Sequence, residues 1–186
     1  MATPSALPGF HAPAVGFEQP FAMLEACHER VQRTLTLLQR LRAHVLENGA
    51  DVPAQQAAHD VLRYFDIAAP LHHEDEELHV FPLLLAQGTP DVAELVARLQ
   101  HDHICMTADW AAARLPLQAL ADGLQDGFSE ADGAAFDCFV ARYDRHIADE
   151  ETVAYPAAQA LLAAPALEAM GREMAQRRKV SPSARQ

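Results

Sequence analysis

Basic residues are scarce in this 186-residue chain: 14 Lys plus Arg stand against 26 Asp plus Glu, for a formal charge of -12. An acidic excess of that size repels a phosphate backbone and removes the term on which nucleic-acid affinity rests, so DNA and RNA are not expected partners. The positive charge that exists collects late, with Arg172, Arg177, Arg178, Lys179 and Arg185 beside one acid after residue 170, and the earlier part is more acidic still. No window approaches the roughly 18 uninterrupted apolar residues of a membrane span, and no Lys or Arg precedes Arg30, unlike the charged start of a signal peptide. The three cysteines, Cys27, Cys105 and Cys138, cannot all pair and form no C-x-x-C, as expected of reduced thiols in a cytoplasmic protein. There is also no G-x-S-x-G, P-loop, dinucleotide fingerprint or H-E-x-x-H zinc string.

Half-buried strand alternation is missing too, and helical periodicity takes its place. Residues 1–19, with Pro4, Pro8, Pro13, Gly9 and Gly16, read as an extended arm. From Pro20 to Asn48-Gly49, Phe21, Leu24, Val31, Leu35, Leu38 and Leu41 recur at three- and four-residue steps. A second helix is expected from about Pro53 to Ala86, kinked at Pro70 and Pro82. The third opens at Thr89-Pro90 and is expected to lose regularity near Pro116, and the fourth starts at a Ser129/Asp132 capping box and reaches about Ala163. The spacing predicts an all-α, up-down-up-down four-helix bundle over residues 20–164, followed by a short helix and basic tail over 165–186. The acidic run Glu74–Glu77 and the basic tail read mainly as solvated surface.

Ten histidines are the unusual entry in this composition, and their placement is patterned. The second helix carries His72-His73-Glu74-Asp75-Glu76-Glu77 and the fourth His146-Ile147-Ala148-Asp149-Glu150-Glu151; each is followed by an aromatic-Pro pair, Phe81-Pro82 and Tyr155-Pro156. A His and a Glu four residues apart share one helix face, so one cation can touch both, or the carboxylate can bridge two cations. The second Glu of each doublet points about 100° away, towards a supporting or solvated position. If a helix pair is duplicated, the first and third helices should also offer matching histidines, and His28 precedes His72 by 44 residues while His103 precedes His146 by 43. Both lie on apolar stripes, whereas His101 is two residues off its stripe and His11, His44 and His59 follow no pattern. A lone inward histidine is usually a satisfied core residue. Four histidines and two glutamates at one level of a core are costly to bury without cations.

The arrangement H…HxxxE…H…HxxxE, with its acidic doublets and aromatic-Pro pairs, resembles the haemerythrin-like HHE cation-binding domains over about Phe21 to Ala163. The resemblance implies two non-haem iron ions joined by an oxo or hydroxo bridge. His28 and His72 would then serve one iron, His103 and His146 the other, and Glu76 and Glu150 would bridge. Oxygen-carrying members have a further histidine four residues after the one on the third helix, where this chain has Thr107. That substitution leaves a position open and favours reactivity or sensing over oxygen carriage. The implied partner is a small ligand: oxygen, nitric oxide or hydrogen peroxide. His79 falls on the ligand stripe as a candidate supporting residue, and His73 is a candidate supplementary ligand. The competing reading is a ferritin-like di-iron carboxylate protein using Glu25-x-x-His28 and Glu76-x-x-His79, which leaves His72, His103 and His146 unexplained.

Overall fold

The computed structural model describes residues 15–179. Residues 1–14 of the expected arm, with His11, and the tail from residue 180 lie outside the described residues. No strand occurs among the described residues, and no helix is long and apolar enough to cross a membrane.

Four rods form the bundle. The first is α1 (Pro20–Asn48), which opens on a proline whose missing N–H costs nothing in a first turn and closes at Gly49, φ 77°, a conformation glycine adopts freely. The second comprises α2 (Val52–Arg63), α3 (Ala69–Asp75) and α4 (Phe81–Gln87), the third is α5 (Pro90–Ala121), and the fourth comprises α6 (Glu130–Ala141), α7 (Tyr143–Asp149) and α8 (Tyr155–Leu161). Rod one packs on two, two on three, three on four and four on one, the closed neighbour pattern of an up-down-up-down bundle. Side chains fix the starts: Asp51 accepts the Ala54 N–H at 2.9 Å, and Ser129 and Asp132 form the expected reciprocal box.

The prolines act differently from expectation. Where kinks were expected at Pro70 and Pro82, the second rod instead widens into π-helical turns just upstream, Tyr64–Ala68 and Glu76–Val80, and the fourth rod does the same at Glu150–Ala154 before Pro156. A proline clashes with the carbonyl four residues back. Those residues are Asp66, Leu78 and Thr152, each at the middle of a π turn, where the wider turn accommodates the clash. The expected irregularity at Pro116 is a correction: α5 runs through it to Ala121, because Pro116, Leu117 and Leu120 are all buried in the core and packing outweighs the lost hydrogen bond.

The apolar interior is divided. One cluster contains Val31, Ala69, Met106 and Ile147, the other Leu24, Val80, Leu99 and Ala154. Each rod therefore passes from one cluster to the other, and His28, His72, Glu76, His103, His146 and Glu150 occupy the crossing. Each fully buried Leu or Phe contributes about 1.5–3 kcal/mol, and these two clusters offset the cost of a polar layer between them.

The described residues after the fourth rod form a helix packed on the bundle. Helix α9 (Ala164–Arg177) buries Met170 and Met174 against the second cluster. Asp75, expected on a solvated face, is completely buried, and both Arg177 and Arg178 grip it, with Arg178 Nη2 at 2.6 Å from Oδ2. Arg177 also reaches Glu74 at 3.1 Å and Glu173 at 2.7 Å. The partners of Glu74 and Asp75 thus lie about a hundred residues downstream.

Candidate metal centre

All six residues read from the sequence as a ligand set point their polar ends into the gap between the apolar clusters, and all six are buried. Glu76 and Glu150 are fully enclosed. Their carboxylates each face both histidine pairs. Glu76 Oε1 lies 3.4 Å from His72 Nε2 and its Oε2 3.4 Å from His103 Nε2. Glu150 Oε2 lies 3.1 Å from His28 Nε2 and its Oε1 3.0 Å from His146 Nε2. Donor atoms of His28, His72, Glu76 and Glu150 gather closely enough to hold one ion, and those of His103, His146 and Glu150 form a second such group.

The outer nitrogens explain how the rings are aimed. Glu151 accepts from His28 Nδ1 at 2.9 Å and Glu77 from His103 Nδ1 at 3.0 Å. These are the second glutamates of the two doublets, and each supports a histidine of the opposite half. A proton on Nδ1 leaves the Nε2 lone pair turned inward, the tautomer a ligating imidazole needs. His146 Nδ1 has Asp102 at 3.5 Å, while His72 Nδ1 has no partner. The gap follows from the repeat: Asp102 precedes His103, and the matching residue before His28 is Cys27.

Whether these residues suit a cation can be tested on the unpaired atoms. Glu76 Oε2 and both Glu150 oxygens are buried without a hydrogen-bond donor, and His103 Nε2 faces His146 Nε2 at 3.2 Å. Acceptors thus face acceptors, an arrangement that native interiors avoid unless something positive lies between them. Two histidine pairs with two shared carboxylates also form the nitrogen and oxygen donor set that suits a first-row transition metal. Protons are the alternative relief. Burial, then the charge of Glu76, pushes the Glu150 carboxyl up to about 8. Glu76 moves well below the carboxylate range despite its burial, held there by His72 and His103. His28 also moves up in spite of burial, drawn by the Glu150 carboxylate 3.1 Å away, and burial drives His72 down to about 3.

Neighbouring residues separate into those at the centre and those outside it. Sequence reasoning missed Tyr155: its fully buried hydroxyl donates to Glu76, and its ring stacks on His28 with centroids 5.5 Å apart. The counterpart, Phe81, stacks on His103 at 5.5 Å without a hydroxyl, and the aromatic-Pro pairs were the available signal for both. His73 stacks on His103 at 4.0 Å but contributes to neither close-packed group. His79 is a correction: it pairs with Glu173 on α9 at 2.6 Å, because the π turn from Glu76 rotates it off the stripe. That contact, with the exposure of Glu25, removes the paired Glu-x-x-His of the ferritin-like reading. His101 is exposed beside Cys105, as expected from its stripe, and His44 braces Asp51. Thr107 turns its hydroxyl back to the His103 carbonyl at 2.9 Å.

The chain is 32% identical over 164 residues, 88% of its own length and 92% of the other, to an uncharacterised protein of Haemophilus influenzae. Residues 19–176, which take in all four rods and nearly all of α9, match the Hemerythrin HHE cation binding domain. With that match spanning most of its length, the chain belongs to the hemerythrin family of HHE cation binding domains.

Proposed function

We propose that this protein holds two non-haem iron ions, joined by an oxo or hydroxo bridge, and uses them to bind or react with a small ligand: oxygen, nitric oxide or hydrogen peroxide. In this reading His28 and His72 serve one iron, His103 and His146 the other, and Glu76 and Glu150 span both. The observation that carries it is the set of enclosed, donorless oxygens on Glu76 and Glu150, each carboxylate facing histidines of both pairs. Iron held there would supply redox chemistry toward such ligands, and Thr107 stands where a fifth histidine would otherwise occupy a position on it.

The chain's own groups do the rest. Glu151 and Glu77 hold the His28 and His103 rings in register and fix their tautomers. Tyr155 orients Glu76 through its hydroxyl. The apolar clusters on either side exclude bulk water and strengthen every charge interaction between them. These features suit a role in sensing, stress response or iron handling within the cytoplasm. A di-iron enzyme of the peroxidase, oxidase or nitric oxide reductase type would use the same residues. Glu76→Ala and Glu150→Ala should each remove the iron and its visible oxo-bridge absorption, whereas Glu74→Ala should leave both; equal effects of all three would overturn the ligand set.

A further inference from the structure

Beside the candidate metal centre, with His103 and Glu77 in its wall, a cavity of about 600 Å³ opens between the second, third and fourth rods. A diatomic or a peroxide needs a small fraction of that space, and cavities of this size usually house organic molecules. The walls are aromatic: Trp110 lies 5.1 Å from Phe65 and 5.2 Å from Phe139, and Tyr143 adds a fourth ring. No Lys or Arg lines it. Both lining carboxylates are engaged, Glu77 by His103 and by Gln100 at 2.7 Å, and Glu74 by Arg177 at 3.1 Å. A charged ligand would thus find no free counter-charge. Two polar groups remain: His73 and Tyr143 line the cavity, and neither the His73 ring nitrogens nor the Tyr143 hydroxyl has a hydrogen-bond partner among the described residues.

We infer that this cavity is a binding site for a small neutral aromatic alcohol of the phenol or quinol class, with the ring against the wall formed by Phe65, Trp110 and Phe139 and the hydroxyl on His73. Aromatic faces supply the affinity for the ring. The unpartnered imidazole, which stacks on His103 next to the metal centre, supplies a directional contact that distinguishes a phenol from a hydrocarbon of the same shape. His73 lies face to face on His103, so the occupant sits one ring away from the proposed iron pair. The site itself requires no metal, and the inference goes beyond the function proposed above.

Trp110 is the single tryptophan of the chain, so its fluorescence reports occupancy directly. Titration of the full-length protein with 4-methylphenol, with and without iron, should give saturable quenching. Benzoate should give none, and toluene should bind more weakly. His73→Phe keeps the stacked ring and should weaken 4-methylphenol about tenfold while leaving toluene unchanged. Thr107→Phe, at an exposed lining position, should fill the cavity and abolish saturation with an unaltered helical circular dichroism spectrum. Quenching that stays linear in the unmodified protein, or saturates equally in Thr107→Phe, would overturn the site; equal losses for both ligands in His73→Phe would overturn the hydroxyl contact. Iron measured on the same samples keeps the two proposals apart: iron without phenol binding defeats the cavity alone, and phenol binding without iron defeats the iron centre alone.

Discussion

The two halves of the polar layer share one plan and differ at three places. In both, a histidine is followed after three residues by an aspartate, after four by an inward glutamate and after five by a glutamate that braces the other half. They differ in how the aspartate is buried, in what supports the second histidine, and in whether the aromatic carries a hydroxyl. Asp75 is enclosed and held by Arg177 at the end of α9 and Arg178 just beyond it, whereas Asp149 is 26% exposed and meets Arg98 and Arg145 near the surface. Asp102 stands near His146, while Cys27 offers His72 nothing comparable. Tyr155 hydrogen-bonds to Glu76, while Phe81 cannot bond to Glu150. The shared features aim the ligand set. The unshared ones make one half more tightly buttressed than the other.

Removing the aspartates should reveal the largest inequality. Asp75→Ala strands two partly buried arginines and should cost about 3 kcal/mol in denaturant unfolding, whereas Asp149→Ala, with its partners near water, should cost about 1 kcal/mol or less. Equal losses would mean that α9 adds nothing to that end of the site.

Protonation gives the next contrast. Glu150 is raised from 4.5 to about 8, so the folded, metal-free chain holds a proton that the unfolded chain releases. Its effect therefore favours the fold at low pH and turns into a growing cost as pH rises from 4.5 towards 8. Glu150→Gln should flatten that decline in metal-free protein while abolishing iron uptake, and Glu76→Gln should not flatten it. For the same reason iron affinity should rise steeply with pH up to about 8 and level off above it, because the cation must displace this proton. A pH-independent affinity would contradict the assignment.

The outer supports should matter less. Asp102→Ala should weaken iron binding about tenfold, whereas Cys27→Ala should leave it unchanged. Smaller again, Tyr155→Phe should cost metal-free protein about 1 kcal/mol by removing a donor from Glu76, and Phe81→Tyr should return none of it unless the new hydroxyl reaches Glu150.

These inequalities also divide what was legible in the sequence from what was not. The bundle and the inward placement of His28, His72, Glu76, His103, His146 and Glu150 follow from helical period alone, because three- and four-residue steps put them on faces already marked by Leu24, Val31 and Leu99. The bracing glutamates follow from adjacency within each doublet. Asp75 was misread because local context shows only an acidic run, and Arg177 and Arg178 reach it through tertiary packing. His79 was misplaced because its angle assumed an α-helix where the following proline imposes a wider turn. Pro116 was read as a disruption because local propensity cannot weigh the burial of Leu117 and Leu120 around it. Tyr155 was visible only as half of a repeated aromatic-Pro pair, and nothing local indicates that its hydroxyl meets a carboxylate seventy-nine residues away.

The most direct test of the central claim is metal analysis of the full-length protein purified without oxygen. About two irons per chain, held jointly by the two histidine pairs, are expected. Less than about half an iron per chain in protein that retains its helical content would contradict that claim.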